Sequence, residues 1–518
     1  MASTHERRWW ILGVLCLSVL LVSVDNTIVN VALPTMSREL SATTSQLQWV
    51  VDAYTLVFAG LLLLGGHLGD RFGRRRLLQI GIVAFAATSL VASFASSADQ
   101  LIAGRAFMGV SAALIYPATL ALLTTTFTDR RERAAAIGLW SGVTGLGVAL
   151  GPVSGGLLLE HFSWGSVLWV NVPVALLALV AGLRLLPESK DDSPGRFDPV
   201  GGFGSIVGIG LLVWTTIEAP SNGWASRTTL LGYAGAAVAL AAFVGWELRR
   251  PDPLLDMRLF RNPRFSAASG AIALAFFGLF GFIFLITQYF QVVRGYSTLR
   301  AGVATLPFAV VTGAISPLAI LLMHRLGTKL VVTFGLLTMS SGFVVAATTG
   351  LETPYWGRVV VSMVLMATGL ALSVSPATEA IMGALPVSQA GAGSAVNDTV
   401  REVGGTLGVA VVGSTLSTVY GPRIVDGLGA LNVPPAAVAK ASDSVVGGLH
   451  VAMSLPGSAA TQAAQVVRQS FMDGLVAGSL VSAGACFVAA MAALIFLPAR
   501  HAAPATDVVE DGVELVHA

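Results

Sequence analysis

Fourteen apolar segments, each long enough to cross a bilayer, follow one another along this chain. They lie at roughly 11 to 33, 47 to 66, 77 to 95, 101 to 124, 134 to 158, 165 to 186, 200 to 218, 229 to 247, 266 to 290, 302 to 323, 330 to 349, 358 to 382, 392 to 420 and 472 to 497. About 20 apolar residues span the hydrocarbon as a helix. Hydrocarbon offers the backbone no water, so each such segment must close its hydrogen bonds internally. The expected fold class is therefore an all-α integral membrane protein with 14 transmembrane helices. Only 11% of the residues are charged and 54% are hydrophobic, against about 25% charged in soluble domains. The first run follows ERRWW and mimics a secretion signal, but it is too long and lacks a small-residue cleavage site, so it reads as an uncleaved first span.

The basic residues orient the spans. With the N-terminus in the cytoplasm, twenty of the thirty Lys and Arg fall on the inside, eight outside and two, Arg105 and Arg401, within spans. The inside set includes Arg7, Arg8, Arg71, Arg74, Arg75, Arg76, Arg196 and Arg500. The positive-inside rule places both termini in the cytoplasm, and a bacterial inner (cytoplasmic) membrane is the expected location. The net charge of +2 is dispersed over short loops, which argues against a nucleic-acid partner. Cys16 and Cys486 both lie inside apolar runs, so neither a disulfide, a metal site nor a cofactor is expected.

An internal echo divides the chain. GHLGDRFGRRRLL from Gly66 and MHRLGTKLVV from Met323 align Arg71 with Arg325, Gly73 with Gly327 and Arg75 with Lys329, 254 residues apart. Spans 9 to 14 then repeat spans 1 to 6, and spans 7 and 8 are an inserted pair; two halves with a site between them is a transporter plan. The expected domains are a six-helix bundle at 1–186, a linker with two inserted helices at 187–264, a second six-helix bundle at 265–497 and a cytoplasmic tail at 498–518. The outside loop 421–471 has few charges, and its Val, Ala and Leu content permits a short hairpin or a helix lying on the membrane.

The chemistry lies in acids within the spans. Asp25 sits inside the first apolar run, followed by Asn26, Thr27 and Asn30. An ionised carboxylate at that depth costs on the order of 3 kcal/mol, so it faces either a wet cavity, a partner or a pathway for ions; the alternative is a polar group that glues two helices. Asp52 lies two turns into span 2, Glu379 near the inner end of span 12, and Asp398 and Glu402 one turn apart on span 13 with Arg401 between them. Each has a structural alternative: Asp52 near the outer end of its span, Glu402 paired with Arg401 or Arg105, and Glu379 snorkelling to water. Aromatic residues at the same levels, Tyr54, Tyr116, Trp140 and Phe276, Phe277, Phe280 and Phe284, can hold a cation by their π faces or simply pack.

Three motifs carry a family resemblance. Gly66, Leu68, Gly69, Asp70, Arg71, Gly73, Arg74 and Arg75 resemble the signature loop of the major facilitator superfamily. Here the glycines permit a tight turn, Asp70 is expected to cap the free amides of span 3, and the arginines hold the inner ends. LIAGRAFMGVSAALIYP on span 4 places Arg105, Gly109, Ala113 and Pro117 on one face and resembles the superfamily's helix-4 arginine motif. Gly147, Gly151, Pro152, Gly155 and Gly156 on span 5 resemble its antiporter motif; glycines four apart allow close helix approach, and Pro152 frees a carbonyl and bends the helix. VDNTIVNVALP around Asp25, WVVDAYTLVFAG around Asp52 and the span-13 acids are similar to the fourteen-helix drug:proton antiporter branch.

That resemblance, over about residues 10 to 497, implies a proton-coupled multidrug efflux antiporter that exports lipophilic, mainly cationic compounds by alternating access. In it, Asp25 is the principal proton-coupling acid and Arg105 its electrostatic modulator. Asp52, Glu379, Asp398, Glu402, Tyr54 and Trp140 are then substrate-binding or further proton sites. Its signature loop latches the two halves on the inside. Its partners are protons, small lipophilic or cationic molecules and the lipid bilayer, and it works as a monomer. The alternative is a proton-coupled exporter of an endogenous metabolite, antibiotic, lipid or siderophore. A nucleotide-driven pump is excluded because no lysine follows a glycine, so there is no Walker loop. An enzyme is not expected, because no loop groups a nucleophile, a base and oxyanion donors.

Overall fold

A computed structural model of the chain describes residues 4–190, 198–251, 253–382 and 390–497. The tail 498–518 with Arg500, and Arg196 with most of the linker, lie outside the described residues. Among those residues the architecture is entirely helical. The first group comprises α1 (Thr4–Glu39), α2 (Thr44–Phe72), α3 (Arg74–Ala92), α4 (Ala98–Thr126), α5 (Arg130–His161), and the short α6 (Ser166–Trp169) that leads into α7 (Asn171–Leu185). Next come α8 (Pro199–Asn222) and α9 (Arg227–Arg249). The last group comprises α10 (Pro263–Gln288), α11 (Thr298–Val303), α12 (Leu306–Leu326), α13 (Thr328–Ala347), α14 (Val360–Met382), α15 (Ala390–Ala430), α16 (Pro435–Asp443), α17 (Val445–Ser454) and α18 (Ser458–Phe496).

Among the described residues, twelve spans are long and apolar enough to cross a membrane, and α2 taken as one span adds a thirteenth. Helix α5, with 32 residues, reaches about 48 Å at 1.5 Å per residue. Fourteen spans are consistent with this arrangement. Large apolar side chains such as Phe203, Val238 and Trp356 point outward and are exposed, as a lipid-facing surface requires.

Polar side chains that cap helix ends are found where the chain must turn. Thr43 and Gln46 form a reciprocal box at the start of α2, and Ser97, Asp198, Ser226, Ser297 and Ser444 accept from the first-turn amides of α4, α8, α9, α11 and α17. The aligned glycines Gly73 and Gly327 play one role: each ends a helix and begins the next with positive φ, +108° and +86°, a backbone region that suits glycine.

Helices α1 to α5 and α7 pack on one another, as do α10, α12, α13, α14, α15 and α18. The inserted α8 lies against α9, and also against α2 of the first group and α15 of the second, so the inserted pair straddles their seam. Several hydrogen bonds between the groups lie on the face opposite the arginine-rich loops. There Ser37 Oγ donates to Ser444 Oγ (3.3 Å), Thr44 Oγ1 to Asp443 O (3.0 Å), Gln291 Nε2 to Val31 O (2.8 Å) and Thr298 Oγ1 to Gly156 O (3.0 Å). The loop 421–471 is helical: α15 and α18 extend through it and α16 and α17 form a short cap, pinned by Tyr420, which donates to Ala441 O and lies 3.3 Å from Ser444 O.

One expectation about capping is corrected. Asp70 lies inside α2 and binds the side chain of Arg74 (2.8 Å to Nε); the start of α3 is capped instead by Glu188, whose Oε1 accepts from Arg75 N at 3.1 Å. Asp70 falls three residues before the cap position, because the helix runs on to Phe72 before Gly73 turns the chain.

Candidate cation and proton site

Asp25 on α1 is fully buried, and both of its carboxylate oxygens are occupied. Arg105 Nη1 from α4 donates to Oδ2 at 2.5 Å, and Asn171 Nδ2 from α7 to Oδ1 at 2.7 Å. Asn171 also donates to Ser89 Oγ (3.0 Å), whose hydroxyl is fixed by Leu168 O (2.8 Å). Arg105, also fully buried, donates from Nε to Val50 O (3.0 Å) and lies 4.2 Å from the centre of the Tyr54 ring. Small residues bring α4 this close to α2: a Cβ on Gly109 would fall 3.2 Å from Phe58 N, and one on Gly66 3.5 Å from Pro117. A charge-assisted pair held this way is strong, yet Arg105 Nη2 is left without a hydrogen-bond partner. In this state Asp25 presents no surface to a cargo molecule.

A second charged group lies on α15. Arg401 Nη2 is 3.3 Å from Glu402 Oε1 and 3.4 Å from Tyr116 Oη of α4, and Nη1 is 3.8 Å from Asp398 Oδ1. The guanidinium lies 5.6 Å from the ring of Phe276 and 5.9 Å from that of Tyr116. Tyr116 packs edge-on against Trp140 of α5 and Phe58 of α2, at centroid distances of 5.2 and 5.8 Å. Trp140 is anchored by a hydrogen bond from Nε1 to Thr119 Oγ1. Tyr54, whose ring faces Arg105 and packs against Phe58, leaves its own hydroxyl unpartnered. Groups far apart in sequence therefore converge across the two bundles.

Asp52 lies on α2 and Glu379 on α14. Asp52 is fully buried on α2, and neither of its oxygens has a hydrogen-bond partner. One turn to either side, Gln48 Nε2 donates to Ala410 O (3.0 Å), and Thr55 Oγ1 accepts from Thr406 Oγ1 of α15 (2.9 Å). Glu379 is half-buried on α14, next to Thr378, which donates to Asn397 Oδ1 at 3.0 Å.

The antiporter glycines pack as close-approach residues. Cβ atoms on Gly147 and Gly155 would lie 2.6 Å from Ser23 Cβ and 2.7 Å from Ile28 Cγ1, and one on Gly151 would strike the Thr27 side chain and sit 2.9 Å from Ile28 N, all on α1. Gly156 instead meets Leu299 and Thr298, and Pro152 meets Gly302, across the seam. The signature loop, by contrast, grips its own bundle's linker. Arg74 N donates to Ser189 O, Arg75 Nη2 to Leu183 O, and Arg76 lies 3.8 Å from Glu188.

Asn171, Ser89, Gln48, Thr406 and Glu188 were not singled out by sequence reasoning. Asn171 alone carried a signal, an amide in the apolar run LWVNVPV; its partner 146 positions away is visible only in the fold.

A profile of the Major Facilitator Superfamily matches residues 15–409. The multidrug efflux pump LfrA of Mycolicibacterium smegmatis is 37% identical over 480 residues, covering 93% of this chain and 94% of its own length. The methyl viologen resistance protein SmvA of Salmonella typhimurium is 36% identical, over 90% and 93%. The tetracenomycin C resistance and export protein of Streptomyces glaucescens is 34% identical, over 94% and 91%. Among solved structures, a bacterial homolog of the human lysosomal transporter Spinster, inward-facing and unoccupied, covers 96% of this chain and 99% of its own, with a TM-score of 0.65 at 19% identity. A D-xylose-proton symporter gives 0.60 at 16% identity, covering 95% and 98%.

Proposed function

The chain belongs to the major facilitator superfamily, and from that premise we propose that it is a proton-coupled efflux antiporter of lipophilic, mainly cationic compounds. It is a multi-pass membrane protein and a secondary transporter rather than an enzyme. Relatives that are 34 to 37% identical over most of its length act in drug efflux and resistance. The observation that carries the proton-coupled, cationic reading is the juxtaposition of the fully buried Asp25–Arg105 pair with the carboxylates of Asp398 and Glu402, held by Arg401 among aromatic rings.

Proton and cargo then act on different carboxylates that are linked through Arg105. A proton on Asp25 cancels the charge that holds Arg105. The guanidinium cannot discharge at any accessible pH, and with Nη2 already unpartnered it is drawn toward the remaining anion of the neighbourhood, Glu402. A cation bound there loses its counter-charge and leaves. Asp52, buried without partners, serves as a further proton carrier at the seam, and Glu379 as an acid on the inner approach. The arginine-rich face is cytoplasmic, in a bacterial inner membrane, and the chain acts as a monomer. For a monovalent drug one proton per cycle moves no net charge, whereas two would draw about 2.3 kcal/mol per 100 mV of membrane potential.

Ethidium efflux from a pump-deficient host, with and without an uncoupler, tests this function. Expression lowers accumulation and the uncoupler abolishes the difference; unchanged accumulation refutes drug export, and efflux that survives the uncoupler refutes proton coupling. Asp25→Asn, compared at matched amounts of folded protein in the membrane, loses uphill efflux. The tetracenomycin exporter's similarity favours one second reading, export of an endogenous antibiotic by the same cycle.

A further inference from the structure

Arg401 is the one basic side chain of the α15 cluster, and it occupies the place that an organic cation would take. Its guanidinium lies beside two carboxylates, within hydrogen-bonding reach of a tyrosine hydroxyl and against two aromatic rings, a combination of anion, acceptor and π face that binds quaternary nitrogen. The group is neither sealed nor fully wet: the Arg401, Asp398 and Glu402 side chains are 19%, 13% and 4% exposed. It differs in this from Asp25 and Arg105, which are fully buried.

We propose that Arg401 is a resident stand-in for cargo that sets the charge of the cation the site accepts. This inference rests on the reading of the protein as an exporter of organic cations. With both carboxylates ionised and Arg401 present, the cluster carries one net negative charge. An arriving monocation displaces the guanidinium from the ring faces and leaves the site neutral, with Arg401 still close enough to one acid to remain paired. A dication brings one charge more than the acids can balance, and its second charge meets Arg401 directly. Arg401 therefore penalises a cargo in proportion to its charge, while Phe276 and Tyr116 serve either occupant.

Ethidium and propidium share one ring system and differ by one quaternary ammonium, so the ratio of their affinities isolates the effect of charge. Binding of each dye to purified protein is measured by fluorescence at one fixed pH, 8.5, for the wild type, Arg401→Gln, Arg401→Lys and Arg401→Met. The Met variant keeps an unbranched apolar stem if the Gln variant fails to fold, and monodispersity on gel filtration identifies folded protein. Removing the positive charge tightens ethidium on the order of tenfold and propidium on the order of a hundredfold, because the interaction scales with cargo charge; the propidium-to-ethidium preference rises about tenfold in the Gln or Met variant. Arg401→Lys keeps the wild-type preference. Equal shifts for both dyes, or a Lys variant that behaves like Gln, would overturn the proposal. If neither dye binds the wild type, the cation reading falls first and the role of Arg401 falls with it.

Discussion

Replacing Asp25 with Asn removes one charge from a pair that has no exposed surface. At an effective dielectric of 20, two charges about 4 Å apart attract by about 4 kcal/mol, and breaking a buried pair from one side costs about 3–5 kcal/mol because the surviving charge is stranded. The two partners are not equivalent. Arg105 cannot shed its charge, so Asp25→Asn bears the full cost, less what the Val50 carbonyl and the Tyr54 face still give the guanidinium. Arg105→Met strands a carboxylate that keeps Asn171 and can neutralise itself by taking up a proton, so it costs less, about 1–3 kcal/mol. Removing both partners leaves no stranded charge, and the double variant is more stable than the sum of the single losses by at least about 2 kcal/mol. The measurement is a double-mutant cycle of unfolding free energies in mixed micelles, followed by tryptophan fluorescence. Additivity within about 0.5 kcal/mol, or equal costs for the two single variants, would refute the argument.

Three further outcomes follow from the packing. Gly151→Val drives a side chain into Thr27 and the α1 backbone, lowering stability by about 1–3 kcal/mol and reducing efflux; Gly142→Ala, with nothing within 4 Å of its Cβ, is silent in both assays. In a background lacking Cys16 and Cys486, Ser37→Cys with Ser444→Cys forms a disulfide under oxidant, because the native hydroxyl oxygens are 3.3 Å apart. That bond ties the bundles together and halts efflux until reductant is added, and undiminished efflux with the crosslink formed would show that this face need not open. Glu188→Ala uncaps α3 and frees Arg76, so trypsin nicks the chain at Arg74 to Arg76 faster than in the wild type, as gel electrophoresis over a time course shows.

The apolar runs determined the helices and the fold class without reference to anything distant, because a segment in hydrocarbon must satisfy its backbone within itself. The helical ends were less legible. Asp70 reads as a cap for α3, but only the length of α2 shows that it lies inside the preceding helix and that Glu188, 113 residues beyond Arg75, does the capping. The cap formed by α16 and α17 was legible only as a loop whose apolar content permits a short hairpin or helix, because its helices are short and rest on one another rather than on a strong periodic pattern.

The acids mark the division most clearly. By sequence, Asp25 and Asp52 look alike, each a carboxylate inside an apolar run. The structure separates them completely: Asp25 has Arg105 and Asn171 on its two oxygens, while Asp52 is equally buried with neither oxygen partnered. Burial costs a charge the same wherever it occurs, but the compensation comes from side chains 80 and 146 residues away. Which acid is paired from another helix and which is left uncompensated is therefore decided by tertiary packing, whereas Asp398 and Glu402 share a site with Arg401 because all three lie within about a turn of one helix.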